Sequence, residues 1–272
     1  SQAVVAAFRT NGIPVIDDPA PRDIRTRARR ERGTVKRKKA DLTAEHVRLC
    51  LRAWATRGNP MWKRQLALEM GTGFVGLARW SDGRYTSIPG IYWCPEGFVG
   101  TYARRKNRQY FPELFYVADT GGPLSLVQLV RQYVEDLGFK VPLEGHIDFD
   151  KARGTQVWLW RDIGRMSGSS HKGRIAYGFK SSGKTPMTDA GYRAVLRLFR
   201  VMLVECCGVP EDLVFEWGTQ SMRSGGDMTL FEKGVTAEDR REIGMWACEK
   251  TELGYLRLRV GQRMSKMKRF GL

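Results

Sequence analysis

The sequence is poor in the groups that metal centres and disulfide frameworks need. It holds five cysteines, Cys50, Cys94, Cys206, Cys207 and Cys248, an odd number with no C-x-x-C pair. That usage argues against a disulfide scaffold and against a structural zinc site. Only three histidines occur, His46, His146 and His171, far apart and none beside a cysteine pair. No metal and no cofactor are therefore expected, and any catalysis must come from Arg, Lys, Tyr, Ser or carboxylates. No apolar run approaches the roughly eighteen residues of a membrane helix, so no membrane association is expected. The first residues lack the charged-then-apolar pattern of a secretion signal, which points to an intracellular protein. Acidic residues are also scarce: 29 Asp and Glu stand against 46 Lys and Arg, a net charge of +17 with a pI near 10.0. A disordered polycation would be poor in aromatics, whereas this chain of 272 residues has eight Trp and twelve Phe and can bury a core. The expected partner is a polyanion, with nucleic acid first, because each neutralised phosphate releases counterions.

What is present is unevenly spread. From Arg22 to Lys39 there are ten basic residues and two acidic ones, downstream of Pro14, Pro19 and Pro21. Residues 1–40 read as an extended or partly helical basic arm or linker, and 41–272 as the folded domain. Within the arm, Lys36, Arg37, Lys38 and Lys39 suit either a strap on a DNA backbone or a nuclear-import patch.

Helical spacing begins after Thr43, a suitable N-cap, with Val47, Cys50, Leu51 and Trp54 on one face. A second helix is predicted over 61–70, ending at Gly71-Thr72-Gly73, and a short third over 74–82. The period then changes. Strands are predicted over 85–93, 97–103 and 114–118, with Pro95-Glu96-Gly97 as a turn. A helix over 123–137 should stop at Gly138. Residues 139–187 are hardest to read, with short strands suggested at 157–160 and 174–179. A long helix should run from Thr188 or Asp189 to Cys207, closed by Gly208-Val209-Pro210. Three more are predicted near 221–233, 237–246 and 251–266. The expected class is mainly α with a small antiparallel β-sheet.

One motif needs weighing. Gly178 to Thr185 satisfies G-x-x-x-x-G-K-T, the phosphate-cradling P-loop. A true P-loop starts a helix at its Lys and Thr. Here Pro186 follows Thr185 and pushes it out of the helical region. Nucleotide binding is kept as a lesser alternative.

The C-terminal part carries the chemistry. It reads Gln220-Ser221-Met222-Arg223-Ser224-Gly225-Gly226, then Gly244-Met245-Trp246, then Gly254-Tyr255. Trp246 lies 23 residues after Arg223, and Tyr255 nine residues after Trp246. This order resembles the catalytic domain of tyrosine recombinases, the family of phage integrases and Cre-type enzymes. The resemblance covers about residues 40 to 265 and extends loosely to the recombinases of eukaryotic mobile elements. It implies that Arg223 matches the second arginine of the family, Trp246 its His/Trp position and Tyr255 its nucleophile. Upstream, Leu77-Ala78-Arg79-Trp80-Ser81-Asp82 is similar to the segment with the first arginine, which makes Arg79 that arginine and Asp82 its supporting carboxylate. Lys106 best matches the lysine of the family's β-hairpin, with Arg104 and Arg105 as rivals. Together with Arg108 they form a basic DNA-binding stretch. Gln220 departs from the pattern, since it stands where the family has histidine. It can donate a hydrogen bond but cannot titrate.

The resemblance implies strand cleavage and rejoining. Arg79 and Arg223 would clamp the non-bridging oxygens, Tyr255 would attack phosphorus, and Lys106 would protonate the leaving 5′-oxygen. A 3′-phosphotyrosyl intermediate would conserve the bond for rejoining. The implied partners are duplex DNA and further copies of the chain, a dimer to a tetramer, on that DNA, in the nucleus if the source is eukaryotic. Residues 1–40 could be the end of a DNA-clamping domain. The alternative that Gln220 motivates is a recombinase-fold DNA-binding protein with weakened catalysis.

Overall fold

A computed structural model describes residues 39–103, 113–148, 157–171 and 174–246, without side-chain detail at 167–171 and 174–175. Residues 1–38, residues 104–112 and everything after Trp246, including the expected helix over 251–266, lie outside the described residues. Among the described residues no helix is long and apolar enough to cross a membrane.

The fold is mainly α with small antiparallel sheets. Helix α1 (Ala44–Cys50) starts at Thr43, whose hydroxyl accepts from the His46 N–H while His46 Nδ1 accepts from the Thr43 N–H. This reciprocal box satisfies two donors that a helix start would otherwise leave unpaired. A π-helical turn, Leu51–Ala55, continues it. Helix α2 (Met61–Val75) is the centre of the domain, and every residue from Arg64 to Phe74 is buried. The expected stop at Gly71-Thr72-Gly73 does not occur. A Cβ at Gly71 would press on Leu126 at 2.9 Å, and one at Gly73 on Met222 at 3.0 Å. The glycines are there for close approach of neighbouring helices, and burial overrides their low helix propensity.

The chain then turns sharply. Leu77 has φ 45°, and helix α3 (Trp80–Gly83) follows, so the helix expected over 74–82 is divided between α2 and α3. The first strand is shorter than expected. Residues 85–91 form a loop with single bridges at Thr86 and Ser87, because Pro89 and Gly90 interrupt pairing. Strands β1 (Tyr92–Cys94), β2 (Gly97–Tyr102), β3 (Glu113–Ala118) and β4 (Gly145–His146) form one antiparallel sheet in the order β3-β2-β1-β4. The Pro95-Glu96 turn joins Cys94 to Gly97 as expected. Helix α4 (Leu126–Asp136) packs on α2, and Gly138 sits at φ 95° just beyond it.

In the least readable region the structure departs from expectation. Residues 157–160 are not a strand. Strand β5 (Ile163–His171) instead pairs with β6 (Arg174–Phe179) as a two-stranded ribbon. Helix α5 (Asp189–Cys207) begins at the Thr188 cap and ends at Gly208 in the left-handed region. No helix begins at Lys184 or Thr185. The Gly183 carbonyl instead accepts from the N–H groups of Val157 and Trp158. The P-loop pattern thus spans the end of β6 and the turn that follows it, and the nucleotide-binding alternative lacks its helix. A 3-10 turn (Val214–Glu216) leads to helix α6 (Ser221–Glu232), and helix α7 (Ala237–Gly244) closes the described part.

Candidate active site

Helix α6 is set deep in the fold by small residues. Its first eight residues, Ser221 to Met228, are all buried. A Cβ at Gly225 would collide with the Leu42 carbonyl, and one at Gly226 with the Phe74 carbonyl. The helix is therefore held between the Lys39–Leu42 segment and the end of α2. Leu42 donates its N–H to the Ser221 carbonyl at 3.0 Å, and Ala40 to that of Glu216 at 2.7 Å.

This seat brings Arg223 to a junction of three segments. The side chain is only 2% exposed. Nη1 donates to the Leu77 carbonyl and Nη2 to the Gly244 carbonyl, both at 2.7 Å. The guanidinium carbon lies 4.5 Å from the centre of the Trp246 ring, a cation–π contact. The planar fork of arginine suits this bridging role, since one rigid group reaches two acceptors at once. Among the described residues, Leu77 (φ 45°) and Met245 (φ 51°) are the non-glycine residues with positive φ. One carries a carbonyl that Arg223 holds, and the other follows the second. Such backbone costs on the order of 1–3 kcal/mol at each position and persists where its surroundings enforce it. Gly244 is required too, because a Cβ there would run into the Trp246 ring.

Arg79 lies on the Leu77 side of this junction. It is half-buried and occupies the N-cap of α3. The Asp82 carboxylate, 1% exposed, accepts from the backbone N–H of Arg79 at 3.1 Å. That contact fixes the turn that displays Arg79. The Trp80 N–H points to the Thr219 carbonyl at 3.5 Å, so the Arg79 turn runs beside the entry to α6. Gln220, at the N-cap of α6, is exposed and accepts the Ser224 N–H on its backbone carbonyl at 3.0 Å.

Arg79, Asp82, Gln220, Arg223 and Trp246 are therefore gathered around the start of α6 and the end of α7. Arg104, Arg105, Lys106, Arg108, Lys36, Arg37, Lys38 and Tyr255 lie outside the described residues. Lys39 is described, and its ammonium donates to the Phe215 carbonyl at 2.7 Å. Among the described residues no group of three or more His, Cys, Asp or Glu side chains is arranged to hold a metal ion.

Two residues that the sequence reading passed over support the junction. Asp227, fully buried, accepts from Arg240 Nε at 3.1 Å, and Arg240 Nη1 donates to the Val235 carbonyl at 2.6 Å. Asp227 stands one helical turn after Arg223, so the pair ties α7, and through it Trp246, to the Arg223 face of α6. A carboxylate among glycine, serine and methionine on a buried helix was the available signal. Asp227→Asn is expected to lower unfolding free energy by about 2–3 kcal/mol, since it leaves a buried guanidinium without its counter-charge. Urea denaturation measures this. A loss below about 0.5 kcal/mol would show that the pair does not hold α7.

No family model matches the chain, and no curated protein matches it. Among solved structures, an Flpe mutant–DNA Holliday junction complex is similar with a TM-score of 0.45 and 12% identity, over 87% of this chain and 55% of the other. An FLP recombinase–Holliday junction complex is similar with a TM-score of 0.46 and 10% identity, over 97% of this chain and 53% of the other. The chain thus spans about half the length of the chains it matches.

Proposed function

We propose that the chain is a site-specific DNA recombinase of the tyrosine type, cutting and rejoining strands through Tyr255. The observation that carries this reading is the Arg223 junction. Residues singled out by order and spacing, Arg79, Arg223 and Trp246, sit on three segments that one guanidinium ties together. A phosphodiester under attack gathers charge on its non-bridging oxygens, and two arginines held on a rigid backbone place positive charge where it develops. The buried N-terminal turn of α6 adds partial positive charge at the same place. In this reading the Trp246 ring is the outer wall of the Arg223 pocket and packs on the bound phosphate.

The chemistry balances without an energy source. Tyr255 gives up its phenolic proton and attacks phosphorus, and the P–O bond to the 5′-oxygen breaks. Lys106 protonates that oxygen as it leaves. The phosphotyrosyl bond is then opened by a different 5′-hydroxyl, which regenerates Tyr255 and joins a new strand. A reference pKa of about 10 for the phenol calls for the neighbouring positive charge to ease ionisation. The basic arm of residues 1–40 and Arg104, Arg105 and Arg108 would hold the duplex backbone, with copies of the chain assembling as a dimer to a tetramer. The site of action would be DNA inside the cell, in the nucleus of a eukaryotic host. Gln220 favours a second reading, in which the fold binds DNA with little or no cleavage.

The test uses a pool of nicked duplexes with randomised sequence around the nick, so that the short leaving fragment diffuses away. A denaturation-resistant protein–DNA adduct is expected with the natural chain and none with Tyr255→Phe. Binding without any adduct in the natural chain selects the second reading. An adduct that persists in Tyr255→Phe refutes the role of Tyr255.

A further inference from the structure

Away from the candidate active site, three of the five cysteines come together where α1 packs on the end of α5. Cys50 Sγ lies 3.5 Å from Cys207 Sγ, and Cys207 Sγ lies 3.6 Å from the His46 carbonyl. Cys206 also interacts with Cys50. The thiols are not equivalent. Cys50 is fully buried, while Cys206 and Cys207 are half-buried on the last turn of α5.

We propose that Cys207 is a peroxide-reactive thiol and that it forms a reversible disulfide with Cys50. The sulfurs need to close from 3.5 Å to about 2.05 Å, a movement within the reach of side-chain rotation. The Cys207 thiolate attacks one oxygen of hydrogen peroxide. The O–O bond breaks, hydroxide leaves, and Cys207 becomes a sulfenic acid. The Cys50 sulfur then attacks the Cys207 sulfur, the S–O bond breaks, and the hydroxyl takes up the Cys50 proton and leaves as water. Two thiols are oxidised and one peroxide is reduced to two waters.

The electrostatics divide the roles in this sense. The contact with Cys50 holds the Cys207 thiol below its usual range, and Cys206 likewise. Cys50, in contact with Cys206 and Cys207 and buried, is pushed well above its usual range. The half-exposed thiol is thus the one that ionises and meets oxidant, and the buried one resolves it. A Cys206–Cys207 bond between adjacent residues would have to distort the last turn of α5. The cross-link would fasten α1 to α5. Lys39–Leu42 leads into α1, and α5 leads through 208–220 into α6, so the bond would join both segments that flank the start of α6.

The test treats the reduced full chain with one equivalent of hydrogen peroxide. Free thiols are expected to fall from five to three, with one linked peptide pair joining Cys50 to Cys207. Dithiothreitol should restore all five. Cys207→Ser should keep all four of its remaining thiols under the same treatment, and Cys94→Ser should still form the link. Cys207 is half-buried at a helix end, so this variant does not depend on the core staying packed around Cys50. Five surviving thiols would overturn the proposal. So would a link through Cys206, Cys94 or Cys248, or equal thiol loss in Cys207→Ser.

Discussion

Arg223→Ala should lower unfolding free energy by roughly 4–6 kcal/mol and abolish adduct formation on nicked DNA. Two buried carbonyls, those of Leu77 and Gly244, lose the donors that now reach them at 2.7 Å. Each orphaned acceptor costs about 1–3 kcal/mol, and the cavity left by a side chain only 2% exposed adds a comparable amount. Domains of ordinary stability have about 5–15 kcal/mol in total, so the variant sits near the edge of folding. Arg223→Lys separates the structural role from the chemical one. An ammonium can reach one carbonyl but not both, and it cannot lie flat on Trp246. It should cost about 2 kcal/mol, leave the protein folded at low temperature, and still lower adduct yield by 10-fold or more. Urea midpoints and adduct yield on one preparation check both statements. If Arg223→Lys forms adduct at the natural rate, Arg223 is a structural bolt and not a phosphate clamp.

The same residue marks what could and could not be read from sequence. Its place in the ordered set Arg79, Arg223, Trp246, Tyr255 was visible as spacing. Its burial was not, because spacing along a chain does not say which carbonyls converge in space. Helix α5 was legible nearly to the residue: Thr188 caps it by accepting the Gly191 N–H, and Gly208 ends it with a φ of 64°. Both signals are local. The run Gly71-Thr72-Gly73 was misread for the opposite reason. Its local preference is to stop a helix, and the demand that overrides it is close contact with Leu126 and Met222, which are distant in sequence. Strand β5 went unseen because Ile163–His171 is rich in Gly and Ser and exists as a strand only by pairing with β6. Asp82 accepts from the backbone N–H of Arg79, a reach that its place three positions on allows. Asp227 and Arg240 carry no motif, and only the packing of α7 on α6 gives them a role.

Glu69 offers the other large effect, and pH controls it. The residue lies on α2, and its side chain is 2% exposed. Burial pushes its carboxyl up to about 8, while the Trp80 indole and the Arg84 guanidinium pull weakly the other way. In the unfolded chain the same group titrates near 4.5. Between those values the folded protein holds the proton and the unfolded chain has lost it, so unfolding releases a proton. Stability is then highest below about pH 4.5 as far as this group is concerned, and falls as pH rises towards 8. The slope reaches about 1.4 kcal/mol per pH unit, and the accumulated loss at pH 8 is on the order of 4 kcal/mol. Glu69→Gln keeps the shape and removes the titration. The difference between variant and natural chain, measured by urea unfolding, should be small at pH 5 and widen in favour of the variant up to pH 8. Parallel curves across that range would show that Glu69 does not enter the fold as the neutral acid. The consequence reaches the candidate site. The Trp80 indole acts on the Glu69 carboxyl and Trp80 directly follows Arg79, so ionising Glu69 is expected to loosen the same turn that Asp82 fixes. The burial of a neutral carboxyl under α3 thus ties the seat of Arg79 to pH, and the Leu77 carbonyl that Arg223 holds lies on the same turn.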